Sequence, residues 1–323
     1  MEEKQKPKYK HIKLYDQVFE KVEKIGSGTY ATVYKVILKS DPSKIYALKR
    51  YKEEQPKEGM DVTALREILI LKEISHPNII KIFDIFYNMN SLYLQYEYID
   101  IELSQLIYKM KLEPSHIKNL FYQFILGLSH LHKNGILHRD LKPQNLLVNN
   151  KGILKIADFG LARFISSPGR IMSINVISDW YRPPEIFFGA NLYSFSIDVW
   201  SAGCILGEMV LRKPLFNDDS QIGILTKIFS LLGVPDSSSW ADAEQLDHYK
   251  LFDNGDVVTI KKKFINFSPL GIDLLEKMIV LDPNKRISTQ DVLQHPYFNE
   301  EPKACSNEEI AQLVKKFKSE NKY

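Results

Sequence analysis

The sequence predicts an α+β protein in two lobes, a small strand-rich lobe carrying one helix and a larger lobe that is mainly helical. Three observations predict it. Phe19 to Ile25, the run ending at Leu38, Ile45 to Lys49 and Leu92 to Ile99 read as short strands with polar or glycine-bearing breaks. From Glu113 onward the apolar residues Ile117, Leu120, Phe121, Phe124, Ile125, Leu128 and Leu131 recur every three or four positions, the period of a helix with one buried face. At 323 residues the chain is longer than one average domain, and its 44% hydrophobic content suffices for a sizeable core.

The first two strands flank Gly26-Ser27-Gly28-Thr29-Tyr30-Ala31-Thr32-Val33, a hairpin with a glycine tip. Glycine lets backbone amides come close to an anion such as a phosphate. Ile45-Tyr46-Ala47-Leu48-Lys49 alternates as a strand and ends on an amine that is costly to bury without an anion beside it. The next segment, 61–75, offers one: Leu65, Ile68 and Leu69 fall at helical spacing, and Glu67 lies on the flank of that apolar face. Ser75-His76-Pro77-Asn78 is then a connector in which His76 reads as a packing and turn residue.

The long helix of the second lobe leads into His138-Arg139-Asp140-Leu141-Lys142-Pro143-Gln144-Asn145, which places an acid, a base and an amide in one loop. Leu146 to Val148 and Ile153 to Ala157 are apolar strands on either side of the turn Asn149-Asn150-Lys151-Gly152. Closing that hairpin brings Asp158 back level with Asn145, because the two lie almost symmetrically about the turn. An amide oxygen and a carboxylate then meet at one open end, and such hard oxygens are what Mg2+ prefers.

Composition sets outer limits. A formal charge of +3 makes no case for nucleic acid or a membrane surface. Two cysteines, Cys204 and Cys305, make neither a disulfide framework nor a zinc site and point to a reducing compartment. No apolar run approaches the roughly 18 residues of a membrane span, and Met1-Glu2-Glu3-Lys4 does not read as a signal peptide. Lysines at 4, 6, 8, 10 and 13 make residues 1–18 a basic tail, and lysines at 315, 316, 318 and 322 mark residues 299–323 as a second, both expected to be solvated.

The loop 138–145 followed by Asp158-Phe159-Gly160 resembles the catalytic loop and magnesium-binding triplet of eukaryotic protein kinases, and the likeness runs from about residue 19 to residue 298. It implies a bilobal kinase domain over 19–298, with a small lobe at 19–98 and a large lobe at 99–298. Gly59-Met60-Asp61-Val62-Thr63-Ala64-Leu65-Arg66-Glu67-Ile68 resembles the cyclin-contacting helix of cyclin-dependent kinases. Ser167-Pro168-Gly169-Arg170 with Ser173, Phe187-Phe188-Gly189-Ala190 and the Gly28-Thr29-Tyr30-Ala31 tip are most similar to the cyclin-dependent-kinase-activating branch, which also phosphorylates the C-terminal repeats of RNA polymerase II.

From this resemblance, Asp140 is implied to accept the substrate hydroxyl proton and Lys142 to steady the transferring phosphoryl group, with Asn145 and Asp158 holding Mg2+. ATP would lie against Ile25, Gly26, Ser27, Gly28, Thr29, Tyr30, Ala31, Thr32, Val33 and Ala47, with Ala31 standing where the kinase pattern has a third glycine. Tyr96 would stand at the back of the pocket, and Glu97, Tyr98 and Ile99 would face adenine. Lys49 would hold the phosphates and be held by Glu67 once a partner pushes the helix inward. Ser173 and Ser167 are candidate phosphosites in an activation loop, and Arg66, Arg139 and Arg163 match the three arginines that gather around the loop phosphate.

At the substrate-binding end of that loop, Arg182 fits a proline-directed pattern, while Ser178, Asp179 and Pro183 depart from the usual residues. Asp198, in an otherwise apolar helix, is expected to hold the catalytic-loop backbone, and Arg286 to pair with Glu185.

The resemblance therefore implies an ATP- and Mg2+-dependent serine/threonine kinase, cyclin-dependent and proline-directed, acting on the RNA polymerase II tail, on activation loops of other cyclin-dependent kinases, or both. A cell-cycle cyclin-dependent kinase is the alternative within the family, because Thr29 and Tyr30 match its inhibitory phosphosites. A catalytically inactive cyclin-binding scaffold is the alternative of another class. Implied partners are a cyclin-type regulatory subunit, an assembly factor and proteins with Ser/Thr-Pro sites, without direct contact to nucleic acid or membrane. The implied compartment is the nucleus, with the cytoplasm second.

Overall fold

The computed structural model describes residues 15–27, 31–51, 62–88, 91–99, 101–165, 178–249, 252 and 257–321. The expectations for Gly28, Thr29, Tyr30, Ser167 and Ser173 lie outside the described residues. The chain divides into two compact units, Met1–Glu73 with Ile80–Ile99, and Ile74–Ile79 with Asp100–Tyr323.

The first unit is built on one antiparallel sheet. After the turn α1 (Tyr15–Val18), the strands β1 (Phe19–Ser27), β2 (Ala31–Leu38) and β3 (Asp41–Tyr51) pair in succession; α2 (Val62–Glu73) follows, and β4 (Ile82–Asn88) and β5 (Ser91–Glu97) complete the order β1-β2-β3-β5-β4. Phe19, Val36, Leu48 and Tyr93 form a buried cluster, and Phe19 meets the Tyr46 and Phe86 rings edge-on at 5.9 and 5.7 Å.

The helix α2 corrects one sequence expectation. Leu65 and Leu69, read as part of its buried face, are 39% and 58% exposed. The buried stripe is Ala64, Glu67, Ile70 and Leu71, so the carboxylate sits in the middle of the inner face rather than on its flank. Two stripes at helical spacing run along this helix, and the one that turns inward brings Glu67 to Lys49.

The second unit is mainly helical. β6 (Ile101–Glu102) and α3 (Leu103–Lys109) lead to α4 (Pro114–Lys133), where every apolar position named from the periodicity is buried and a proline opens the first turn. β7 (Ile136–Leu137) precedes the hairpin of β8 (Leu146–Val148) and β9 (Leu154–Ile156), and β10 (Arg163–Phe164) pairs back onto β7. The remaining helices are α5 (Pro184–Phe187), α6 (Ser196–Leu211), α7 (Gln221–Leu232), α8 (Ile260–Lys263), α9 (Pro269–Met278), α10 (Thr289–Leu293) and α11 (Asn307–Asn321). The helix α6 is buried on all sides from Ile197 to Met209, as its nearly continuous apolar sequence requires.

The connector 74–79 belongs to this second unit because Asn78 is tied into it. Its side-chain amide donates to Leu154 O at 2.8 Å and Gln123 Oε1 at 3.1 Å, and its carbonyl accepts from Ile156 N at 2.9 Å. Gly127 makes that approach possible, since a Cβ there would come within 2.8 Å of the Asn78 carbonyl oxygen.

The segment after residue 299 is not the solvated tail that its lysines imply. α11 buries Ile310, Val314 and Phe317, an i, i+4, i+7 stripe, while Lys315 and Lys316 are exposed. Asn307 Oδ1 accepts from Asn119 at 3.1 Å and Gln123 at 3.2 Å, and Lys318 donates to Asn150 Oδ1 at 2.6 Å on the β8–β9 turn. Gly152 in that turn has φ +72, and a Cβ there would collide with the Asn307 carbonyl. Among the described residues no helix is long and apolar enough to cross a membrane.

Candidate active site

In the first unit, strand register arranges the expected nucleotide-facing residues in rows. Gly26 pairs with Val33, Val33 with Lys49 and Lys49 with Leu94, while Lys35, Ala47 and Tyr96 make the neighbouring row. Ile25 is exposed, Ala31 and Thr32 are buried at the start of β2, and Ser27 pairs with Thr32. Tyr96 and Ile99 are buried; Glu97 accepts the Lys81 backbone N–H on Oε1 at 2.9 Å, and Tyr98 lies under the Lys35 ammonium at 5.0 Å.

Lys49 Nζ stands 2.8 Å from Glu67 Oε2, with both side chains withdrawn from solvent. The pair expected from the resemblance is formed. Tyr51, which sequence reasoning passed over, donates its hydroxyl hydrogen to the same Glu67 oxygen. Period-2 alternation puts residues 49 and 51 on one face of β3, and that spacing was the available signal.

In the second unit the backbone of the loop 138–145 is held by Asp198. This fully buried carboxylate accepts the His138 N–H on Oδ2 and the Arg139 N–H on Oδ1, both at 2.9 Å, and meets His132 Nε2 at 3.1 Å. Burial alone would push its carboxyl up, but the His132 contact and the backbone donors outweigh it and hold it below the usual carboxylate range. His132 was not assigned this role from sequence; on α4 it is 66 positions from its partner. Arg139 takes a left-handed backbone, φ 66, held by these bonds.

Asp140 is the convergence point. Oδ1 accepts from the Ser178 hydroxyl at 2.9 Å; Oδ2 accepts from Asn145 Nδ2 at 3.0 Å and faces Lys142 Nζ at 2.9 Å. Lys142 also donates to Ser178 Oγ at 2.9 Å, so acid, amine and hydroxyl form a closed ring. Oδ1 takes one hydrogen bond in this ring, which leaves it a second lone pair for a further donor.

The hairpin closes as its symmetry predicts. Leu146 faces Ile156, and Ala157 N donates to Asn145 O at 2.8 Å, which places Asp158 beside the level of Asn145. Asn145 commits its amide nitrogen to Asp140 O and Oδ2, so its oxygen points away along the other arm of the planar amide. Asp158 is exposed, with φ 61, and Phe159 behind it is fully buried edge-on to His138 at 5.0 Å. An amide oxygen and an exposed carboxylate at one hairpin end fit Mg2+ as hard donors.

Of the three arginines, Arg66 is exposed on α2 in the first unit, while Arg139 and Arg163 belong to the second. Arg139 donates to Leu161 O at 2.7 Å and Tyr193 Oη at 3.0 Å, and Arg163 pairs with Leu137 in the β10–β7 ladder.

Beyond the loop, Arg182 pairs with Asp179 at 2.8 Å and lies 5.2 Å from the Phe187 ring. Arg286 forks onto both Glu185 oxygens at 2.5 and 2.7 Å, as expected from sequence. Glu208 on α6, wholly buried, accepts hydroxyl hydrogens from Tyr181 at 2.7 Å and from Tyr108 on α3. Burial pushes its carboxyl up against the opposing pull of those two donors.

The family described as Protein kinase domain matches residues 19–298. Among solved structures, a chain of the CAK complex from Chaetomium thermophilum bound to ATP-gamma-S is similar, at 35% sequence identity and a TM-score of 0.84, with 91% of this chain and 95% of that chain covered.

Proposed function

The chain belongs to the protein kinase family, and from that premise we propose that it is a cyclin-dependent, proline-directed serine/threonine kinase of the branch that activates other cyclin-dependent kinases. The observation that carries catalysis is the ring on Asp140. Its Oδ1, oriented by the Ser178 hydroxyl and with a lone pair left for a second donor, is the acceptor for the substrate hydroxyl proton, and Lys142 stands where it can steady the phosphoryl group in transfer.

Lys49, fixed by Glu67, holds the ATP phosphates. Asn145 and Asp158 would hold Mg2+, whose charge offsets that of the phosphates. Asp198 and His132 do no chemistry; they keep the loop backbone from moving while the proton is transferred.

The likeness to a chain of the CAK complex supports the branch. A cyclin-type subunit would cover the exposed Leu65 and Leu69 of α2, and an assembly factor would complete the complex. The substrates are Ser/Thr-Pro segments in the RNA polymerase II tail, in activation loops of other cyclin-dependent kinases, or in both, and the compartment is the nucleus. Ser173 and Ser167 remain the phosphosites we propose, with Arg66, Arg139 and Arg163 as their charge partners.

The test is phosphate transfer from ATP with Mg2+ and a cyclin-type partner to two acceptors, a polymerase-tail peptide and a kinase activation-loop protein. Transfer to either supports an enzyme, and the preferred acceptor assigns the substrate. No transfer to either one would leave the catalytically inactive scaffold.

A further inference from the structure

Three lysines from three separate elements meet around one cavity of the second unit. Lys213 follows the end of α6, Lys227 lies on α7 and Lys263 closes α8, and together they line a space of about 360 Å3. That volume falls in the range of ligand pockets, roughly 300–1,000 Å3. Apolar lining comes from Leu215 and Leu231, both largely buried, and from Val258.

Like charges gathered around one space repel, and an anion between them relieves the repulsion. The fold supplies only one. Asp218 faces Lys227 at 2.9 Å, and Lys227 also donates to Asn217 O. Among the described residues the Lys213 and Lys263 ammonium groups have no ion-pair or hydrogen-bond partner, so two of the three charges stay uncompensated. Lys213 is exposed and water serves it. Lys263 is half-buried, and desolvation first, then the Lys213 and Lys227 charges, push its pKa below the ordinary lysine value.

We propose that this cavity binds a phosphorylated Ser/Thr-Pro segment, with its phosphate on Lys213 and Lys263 and its proline against Leu215, Leu231 and Val258. A phosphate monoester carries about −1.5 to −2 charge, which matches the two uncompensated ammonium groups, whereas a carboxylate brings one charge. Proline has no amide hydrogen and an apolar ring, so it packs on such a wall without leaving a donor unpaired. The proposal rests on the proline-directed kinase reading given above, under which this segment is the reaction's own product. The cavity shares no residue with the ring on Asp140, so a substrate with several Ser/Thr-Pro sites would be held by one phosphorylated site while another reacts.

The test is fluorescence polarisation of labelled peptides with the full chain. A phosphoSer-Pro peptide is expected to bind about tenfold more tightly than its unphosphorylated parent and more tightly than a phosphoSer-Ala peptide. Lys213→Gln with Lys263→Gln should erase the preference for phosphate, and Lys213→Arg with Lys263→Arg should keep it. Lys213→Gln alone, at an exposed position, should lose part of it without risk to the fold. The glutamine pair should leave kcat and KM for an unphosphorylated Ser-Pro peptide as in wild type.

Equal affinity for the phosphorylated and parent peptides, or a preference that survives the glutamine pair, overturns the proposal. So does equal binding of the phosphoSer-Ala peptide, or displacement by inorganic phosphate at the same concentration as by the phosphopeptide, since either describes an anion patch without a place for proline. Binding needs no transfer. A chain that takes the phosphopeptide through these lysines yet transfers no phosphate, even with Mg2+ and a cyclin-type partner, refutes the kinase reading and upholds the site.

Discussion

Ser178 donates its hydroxyl hydrogen to Oδ1 of Asp140 at 2.9 Å, across a sequence separation of 38 residues. The same hydroxyl accepts from Lys142, so one small side chain sets both the direction of the acid and the place of the amine. Removing it takes one donor from Asp140 and one acceptor from Lys142. Ser178→Ala is expected to lower kcat about tenfold, the cost of one misplaced catalytic hydrogen bond, whereas Ser178→Thr should stay near wild type. Steady-state kinetics of the two variants side by side measures this; equal losses in both would mean that shape, not the hydroxyl, matters.

Asp140→Asn should abolish transfer while leaving ATP affinity nearly intact. The amide cannot take up the substrate proton, a loss of about a hundredfold or more. It can still accept from Ser178 on its oxygen, while the Asp198 bonds that hold the loop backbone are untouched. Calorimetric ATP titration beside a transfer assay separates the two effects, and a large loss of ATP affinity would remove Asp140 from the role of proton acceptor.

Asp198 and its donors should govern stability. Asp198→Ala leaves the buried His138 and Arg139 N–H groups without their acceptor, at a cost on the order of 3 kcal/mol. Asp198→Asn retains one carbonyl oxygen and should lose less. Chemical unfolding monitored by tryptophan fluorescence gives the comparison, and a silent alanine variant would show that the loop backbone finds other partners.

Glu208 supplies a pH dependence. Its folded-state pKa is raised by burial, so its contribution to stability is fully present below the ordinary value of 4.5 and is lost as pH rises through the folded-state value. Glu208→Gln cannot titrate. As pH rises above 4.5 the thermal midpoint of wild type should therefore fall relative to that of the variant. A constant difference over that range would mean that Glu208 does not titrate there.

Local patterns were readable where geometry follows from short sequence distance. The Asn145–Asp158 convergence needs only a hairpin and its symmetry, and the α4 stripe needs only its period. The resemblance supplied Lys49–Glu67 and Arg286–Glu185, pairs that no local rule finds. Tyr108 and Glu208 meet across 100 residues, and neither has a local feature that marks it. The α2 face was misjudged because a buried carboxylate looks polar until its lysine is in place. Residues 299–323 were misjudged for the opposite reason: surface lysines outweighed the Ile310, Val314 and Phe317 stripe, which was there to be seen.

The docking of α11 also bears on truncation. Gln123 takes Asn78 and the Leu154 N–H on its oxygen and gives its amide hydrogens to Asn119, Gly152 O and Asn307, so one side chain links connector, hairpin turn and final helix. Cutting the polypeptide at residue 299 would remove Asn307 and Lys318 and strip the turn that returns Asp158 to Asn145 of its outer brace. The last helix is thus a strut for the end of the hairpin where Asn145 and Asp158 come level, and a shortened chain would lose order there before it lost its core.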